Sequence, residues 1–411
     1  MQQEVNAMLL QFRIKNYKSI GDEICIDLTA GRGRENAHFL FEQNGVKILP
    51  SLILYGANAS GKSNIVDALT VALNNITSFR KTSETTADAL TTPHIFNKGL
   101  KEQPTTVELF IVFDNIEYQY GYTVFKTVVE SEWLYHRKFS KNITKVYPIF
   151  ERSAADIIFF NNYANLSTYE SFITSNSLAV SFFGELVTKD MSEMLRPFKM
   201  LFDWAKRSVS LSDPRFLTSR DIPSFYNKFK DVKLLLVEFL REFDPLIEDV
   251  KIKKEENSSG DIIYETLTKH HGKWYPLEIE STGTRKLFDL YLALYSSFNI
   301  DQQTLVFDEL DICLHPLIIR RILSMFHNKE INKMQSQLIT TCHNLIAMNK
   351  RDLRRDQIWL VEKDNKGFTQ TFSLSSFKKS KEDIRSDMSY GKNYLAGRFG
   401  AIPYVSTRGC K

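Results

Sequence analysis

Four short stretches of this 411-residue chain have the residue types and spacing for phosphate chemistry. The first, residues 56–63, reads Gly-Ala-Asn-Ala-Ser-Gly-Lys-Ser and fits G-x-x-x-x-G-K-S. Gly56 and Gly61 let the backbone through Ala57, Asn58, Ala59 and Ser60 curl with its N–H groups inward, toward a polyphosphate. A helix entered at Lys62, Ser63 and Asn64 adds the partial positive charge of its N-terminus. Lys62 would reach the β- and γ-phosphates, and the Ser63 hydroxyl would hold Mg²⁺. A plain Gly/Ser turn into a helix uses similar residues, so the downstream partners decide.

Those partners follow in order. Gln303-Thr304-Leu305-Val306-Phe307-Asp308-Glu309 is an apolar run ending in two carboxylates, at the strand end where α/β proteins bind ligands. Asp308 would hold Mg²⁺ through water, and Glu309 would orient or deprotonate an attacking water. Residues 336–344 form another apolar run ending in His343, within reach of a terminal phosphate and that water. Between phosphate loop and carboxylates, Glu280-Ser281-Thr282-Gly283-Thr284 opens an amphipathic pattern of Leu287, Leu290, Tyr291, Leu294 and Phe298. It reads as a second anion-binding helix start, or simply as a Ser/Thr cap.

The elements that must position these groups can be read from periodicity. Leu52, Ile53, Leu54 and Tyr55 form a buried-type strand, and Ile65, Val66, Leu69 and Leu73 share a helix face beyond it. Residues 9–28 read as two strands around Gly21-Asp22, and 30–48 as loop, with His38 on the surface. Residues 78–104 are polar and expected to be mobile. An antiparallel lobe is expected from strands at 106–113, 117–125, 128–136 and 146–151. Helices are expected at 155–160, 171–183, 191–208 and 224–243, forming a compact insertion, with strands returning at 250–254, 262–269 and 274–279. The expected division is 1–152 and 246–373 as two halves of one nucleotide-binding head, 153–245 as the insertion, and 374–411 as a tail suited to partner contact. His315 reads as a helix-entry residue.

Composition adds bounds. Hydrophobic residues at 43% and charged residues at 25% are ordinary for a chain that buries a core. A net charge of +4 neither demands nor excludes nucleic acid. The basic stretches Lys378-Lys379-Lys381 and 351–355 keep DNA binding open, beside readings as solvated surface or partner contact. Cys25, Cys313, Cys342 and Cys410 lack metal-type spacing, no apolar run reaches membrane-span length, and no signal peptide is visible. A cytoplasmic protein without a membrane is expected.

Residues 58–64, Ser281-Thr282-Gly283, residues 305–309 with Leu314-His315-Pro316, and residues 340–344 together resemble the motifs of ABC-type ATPases of the SMC/RecF/OLD kind. The N-terminal 12–20 resembles that group's first strand, and 394–403 resembles a tail of the RloA/AbiLi bacterial antiphage-defence subgroup. The resemblance implies an α/β fold: a P-loop ABC-type ATPase head with an antiparallel β lobe and a helical insertion. It also implies ATP and Mg²⁺ as cofactors, and two heads sandwiching two ATPs in a homodimer or higher homo-oligomer. Lys62 of one copy would then face Ser281 and Gly283 of another. The signature departs from Leu-Ser-Gly-Gly-Gln, and Gln103 is the nearest candidate for the Q-loop glutamine. By this resemblance the chain would be the sensor or regulator of an abortive-infection type defence system, controlling a separately encoded Toprim-like nuclease of the RloB kind. A RecF-like DNA-repair ATPase is the alternative. A fused nuclease does not fit, because only 50 residues follow Val361.

Overall fold

The computed structural model describes residues 7–78, 92–94, 96–142, 144–186, 192–210, 232–256, 262–377 and 389–403. Its α/β architecture is built on two principal sheets that share one helix. The first has seven antiparallel strands in the order Asp156–Phe159, Tyr147–Ser153, Val128–Lys138, Ile116–Phe125, Thr105–Phe113, Ala7–Lys15 and Ile24–Asp27. Alternation drives it: Val107, Leu109 and Ile111 are buried while Glu108 and Phe110 between them are half-exposed. Asp114 and Asn115, both at positive φ, make the tight turn between its two central strands.

The expected helix at 155–160 is instead the edge strand Asp156–Phe159, paired with Tyr147–Ser153. Ile157 and Phe159 face the core while Ile158 is exposed, a period of two rather than 3.6. The helices Ala179–Glu185 and Ser192–Arg207 follow, the latter accommodating Pro197 internally. Both pack into the antiparallel sheet's own core. The buried Glu132 carboxylate fixes the first of them, accepting the Ala179 and Val180 N–H groups at 2.7 and 3.1 Å and the Tyr120 hydroxyl at 3.0 Å. Burial raises its pKa, opposed chiefly by Arg152. Of the expected 224–243 helix, Val232–Arg241 is helical, and the part before 232 lies outside the described residues.

The second sheet runs Val209–Ser210, Thr304–Phe307, Gln337–Thr341, Ser51–Gly56, Ile358–Lys363 and Thr369–Ser373, parallel except for the last strand. Its central strands are buried on both faces, which explains why they read as unbroken apolar runs. The registers Phe307↔Thr340, Thr340↔Ile53 and Val361↔Gly56 bring four strand C-termini to one edge. The Thr282–Asn299, Pro316–His327 and Val232–Arg241 helices share the core on one side of this sheet. The Lys62–Thr77 helix, through Ile65, Val66, Leu69 and Leu73, belongs to the core of the antiparallel sheet.

Gln337 ties the sheets together. Its buried amide accepts from Leu9 N at 2.8 Å and donates to the Leu9 and Leu49 carbonyls at 3.0 and 3.3 Å. Leu9 stands where the pairing with Thr105–Phe113 shifts register, so this side chain satisfies backbone groups that the bulge leaves over. A three-stranded sheet (Asp249–Glu256, Ile262–His270, Lys273–Pro276) ends just before Ser281. Within the expected 30–48 loop lies a small hairpin, Phe41–Gln43 with Val46–Ile48, turned by Asn44 and Gly45 at φ 48° and 73°.

Candidate nucleotide site

The phosphate loop is shaped by close approaches that only glycine tolerates. A Cβ on Gly56 would lie 2.2 Å from the Val361 carbonyl oxygen. On Gly61, at φ 109°, it would lie 2.0 Å from Thr369 Oγ1. The loop is held from outside as well. Thr369 Oγ1 donates to Ser60 O at 3.0 Å, and Ser19 Oγ joins Thr369 Oγ1 and Asn64 Nδ2 at 2.7 and 2.6 Å. Lys62 is 5% exposed, and its ammonium donates to the Gly56 and Ala57 carbonyls at 2.9 and 3.0 Å. Burial lowers its pKa, partly offset by Asp308, Glu309 and Asp311. A buried cation held by two neutral carbonyls is a strong acceptor of a phosphate's negative charge. The Ser60 hydroxyl is buried with no hydrogen-bond partner among the described residues.

Across from this loop stand the ends of two neighbouring strands. Thr341 Oγ1 donates to Asp308 Oδ1 and accepts from the Glu309 N–H, both at 2.6 Å, so one hydroxyl sets both acidic residues. Glu309 takes φ 52°, which turns the chain sharply away from the strand. His343 Nε2 lies 4.0 Å from Glu309 Oε1, both side chains about two-fifths exposed. His343 is therefore not a buried structural histidine. Its loop is fixed by Asp311, whose Oδ2 accepts the N–H groups of His343 and Asn344 at 2.9 and 2.7 Å.

Residues 58–64, Glu309, Ile312 and His343 line one cleft of about 850 Å³. Ser63 is exposed there. Gly56 and Ala57 sit behind it, contributing the carbonyls that hold Lys62, and Asp308 is half-buried beside Glu309. Ser281 and Gly283 are not among the lining residues. Ser281 is exposed and caps its helix, accepting the Thr284 N–H at 3.1 Å. Gly283 abuts the loop after Glu309, where an added Cβ would come within 2.8 Å of the Cys313 carbonyl oxygen. Gln103 does not line the cleft either; its carbonyl accepts from the buried Asn16 at 2.8 Å.

Four participants carried no role in the sequence reading. Lys286 donates to the Glu309 and Ile312 carbonyls, both at 2.9 Å, tying the helix that starts after Ser281 to the loop that carries Glu309. Its Thr-Arg-Lys setting gave the one available hint. Lys18 and Lys363 add positive charge to the cleft wall, and Phe96, 86% exposed, stands at the same cleft. His315, as expected, caps the Pro316–His327 helix, its Nδ1 accepting from Leu317 N at 3.3 Å.

In the basic stretch 351–355 only Arg351 is exposed; Arg354 and Arg355 are not surface charges. Arg354 is fully buried and binds Asp356, with its Nη2 3.1 Å from the Gly33 carbonyl and its Nη1 on the Glu35 carbonyl. Arg355 is 7% exposed and donates to the Leu374 and Phe377 carbonyls. Loop carbonyls from distant parts of the chain have taken these charges inward. The other basic stretch, Lys378-Lys379-Lys381, lies outside the described residues.

Among solved structures, the SMC head domain from Thermotoga maritima is 18% identical with a TM-score of 0.40, over 89% of this chain and 98% of that one. An Smc head with an extended coiled coil, bound to the C-terminal domain of ScpA and derived from Pyrococcus furiosus, is 14% identical (TM-score 0.41; 89% and 96% covered). The recombination mediator RecF with ATP is 13% identical (TM-score 0.40; 90% and 100%). No curated protein matches. The model of the family described as "AAA domain, putative AbiEii toxin, Type IV TA system" matches residues 51–349, from the strand before the phosphate loop to just beyond His343. With well over half its length matched and the phosphate loop, the acidic strand end and His343 all inside the match, the chain belongs to that AAA-domain family.

Proposed function

We propose that the chain binds ATP in this cleft and hydrolyses it at a site completed by a second copy. The observation that carries this is the Glu309–His343 pair at 4.0 Å, on the same cleft as the phosphate loop. Lys62 would exchange its two loop carbonyls for phosphate oxygens, and the N–H groups of 58–63 other than Ser60, whose N–H donates to the Ala57 carbonyl at 3.3 Å, would take the remaining charge. Glu309 would accept the proton of an attacking water, and His343 would orient that water and donate to the terminal phosphate. Ser63 and Asp308 are the residues to hold Mg²⁺. Among the described residues no three metal-ligating side chains cluster, so such an ion would share its shell with phosphate oxygens and water. When bound, Mg²⁺ neutralises charge building on the phosphates.

Completion in trans is supported by what surrounds the cleft. Ser281 is exposed and does not line its own cleft, while Phe96 and Ile312, which do, present 86% and 47% of their surface to solvent. Apolar side chains grouped around a charged site mark a face that another surface covers. A homodimer closing over two ATPs would cover it and bring Ser281 and Gly283 to the partner's phosphates.

In this reading the protein is the sensor or regulator of a bacterial antiphage system, working with a separately encoded, Toprim-like nuclease. The family's description as a toxin–antitoxin group supports the defence role alone. A RecF-like DNA-binding ATPase is the second reading. A cleft of about 660 Å³ on the antiparallel lobe favours it, where Lys47 and Lys141 stand beside Arg13 and beside Arg137, which is paired with Glu117 in the same cleft. One purification separates these. The neighbouring gene product should co-purify, and mass measurement should show ATP-dependent association. Tight duplex binding that weakens steeply with salt, with no co-purifying effector, would favour the second reading. Lys62→Ala should abolish ATP binding in either; undiminished binding would remove the phosphate-loop assignment.

A further inference from the structure

The C-terminal segment reaches the back of the phosphate loop. The Ala57 N–H, second residue of that loop, donates to the Ala401 carbonyl at 3.1 Å. Ala401 is itself held on both sides. Its N–H donates to Glu362 Oε2 at 2.7 Å, and its carbonyl also accepts the Tyr394 hydroxyl at 2.8 Å. Ala401 is at φ 56° and 4% exposed, and Tyr390 and Tyr394 are each 5% exposed in the core beneath the parallel sheet. Glu362 lies on the strand whose Val361 pairs with Gly56. The same segment grips the loop after His343. The Gly391 N–H donates to the Met348 carbonyl at 2.9 Å, and a Cβ there would sit 2.9 Å from the Leu345 carbonyl oxygen.

We propose that residues 389–403 are a positioning strap for the nucleotide site, with the Ala401 carbonyl, set by Tyr394 and Glu362, fixing the first turn of the phosphate loop through Ala57. The physical reason is directional. The other N–H groups of the loop, apart from that of Ser60, are wanted inward for phosphate, and Thr369 holds the loop only at its far end through Ser60, so the first turn needs an outward anchor of its own. Ala401 supplies it from a segment that also holds the loop carrying His343. Tyr394, Glu362 and Ala401 are therefore positioning residues, touching no phosphate themselves. A load on residues 389–403 would pass to Ala57 and to the His343 loop together, so a partner bound to this segment would also set nucleotide affinity. This last step rests on the cleft being an ATP site; the hydrogen bond does not.

The test uses the full chain carrying Tyr394→Phe or Glu362→Gln, with Trp204→Phe as a control. Trp204 is buried in the other core, where it bonds Thr304 at 3.3 Å. Hydrogen exchange resolved to the Ala57 amide should quicken in both strap variants, while exchange in the 128–138 strand stays at the parent's rate. ATP affinity should weaken by about three- to tenfold, the span of one net hydrogen bond, with kcat within about twofold of the parent. Unchanged exchange at Ala57 would overturn the proposal. So would quickening at Ala57 matched in the 128–138 strand or by Trp204→Phe, which would make the strap merely structural. If the parent binds no ATP, the nucleotide reading falls, and the exchange measurement still judges the strap.

Discussion

His343 Nε2 and Glu309 Oε1 stand 4.0 Å apart at the ends of adjacent parallel strands, one hydrogen bond short of contact. That spacing leaves both groups free to share a water rather than each other. Glu309→Gln should therefore keep ATP binding and lower turnover by about 10²- to 10⁴-fold, the usual yield of a positioned base. ATP-bound, associated protein should accumulate, visible as a larger mass with ATP. Turnover at the parent's rate would assign the base to another residue.

Phe96 should act on the base rather than on the phosphates. It is an exposed ring on a cleft whose other residues are mostly polar or charged. Phe96→Ala should weaken ATP binding by about tenfold, as loss of one base–aromatic stack does, and leave tripolyphosphate binding unchanged. Equal loss for both ligands would place Phe96's effect on the loop instead.

Ser281→Arg should spare nucleotide binding by a single chain, because Ser281 lies outside its own cleft. ATP-dependent association and hydrolysis should both fail. Normal turnover in this variant would argue that each head works alone.

Acid sensitivity should centre on His327. It is buried, stacked on Phe39 at 4.1 Å and bonded to Ser51 and Gln357, and burial pushes its pKa down to about 3, with Asp352 opposing. Because the folded value lies below the ordinary 6.5, the unfolded chain takes up the proton first. This contribution is complete above pH ~6.5 and is lost as pH falls toward 3. His327→Gln should cost stability at pH 7.5 yet flatten its decline toward pH 4.5, followed as denaturation midpoints. Parallel declines in parent and variant would clear His327 of that role.

The parts of the site that were legible in the sequence are those where local pattern and chemistry coincide. The run 52–55 before Gly56, the acids after Phe307 and the histidine after Thr341 all lie at ends of strands buried on both faces, and such strands read as apolar runs. What escaped depends on distant backbone. Arg354 and Arg355 look like surface charge until the carbonyls of Gly33, Glu35, Leu374 and Phe377 meet them. Asp156–Phe159 was too short to separate a period of two from a helical turn. Asn44-Gly45 did carry its hairpin signal, and the loop reading of 30–48 passed over it. Phe96 has no local signature, because an exposed phenylalanine acquires meaning only from the cleft it faces.

The Lys62–Thr77 helix begins at the phosphate loop and is sunk along its length in the core of the antiparallel lobe. Gln337 bolts the edge of that lobe to the strand that precedes His343. Among the described residues the lobe is thus joined to the cleft at two points. If nucleotide binding shifts the phosphate loop, a fluorescent reporter on the outer face of the lobe should respond to ATP without touching the chemistry.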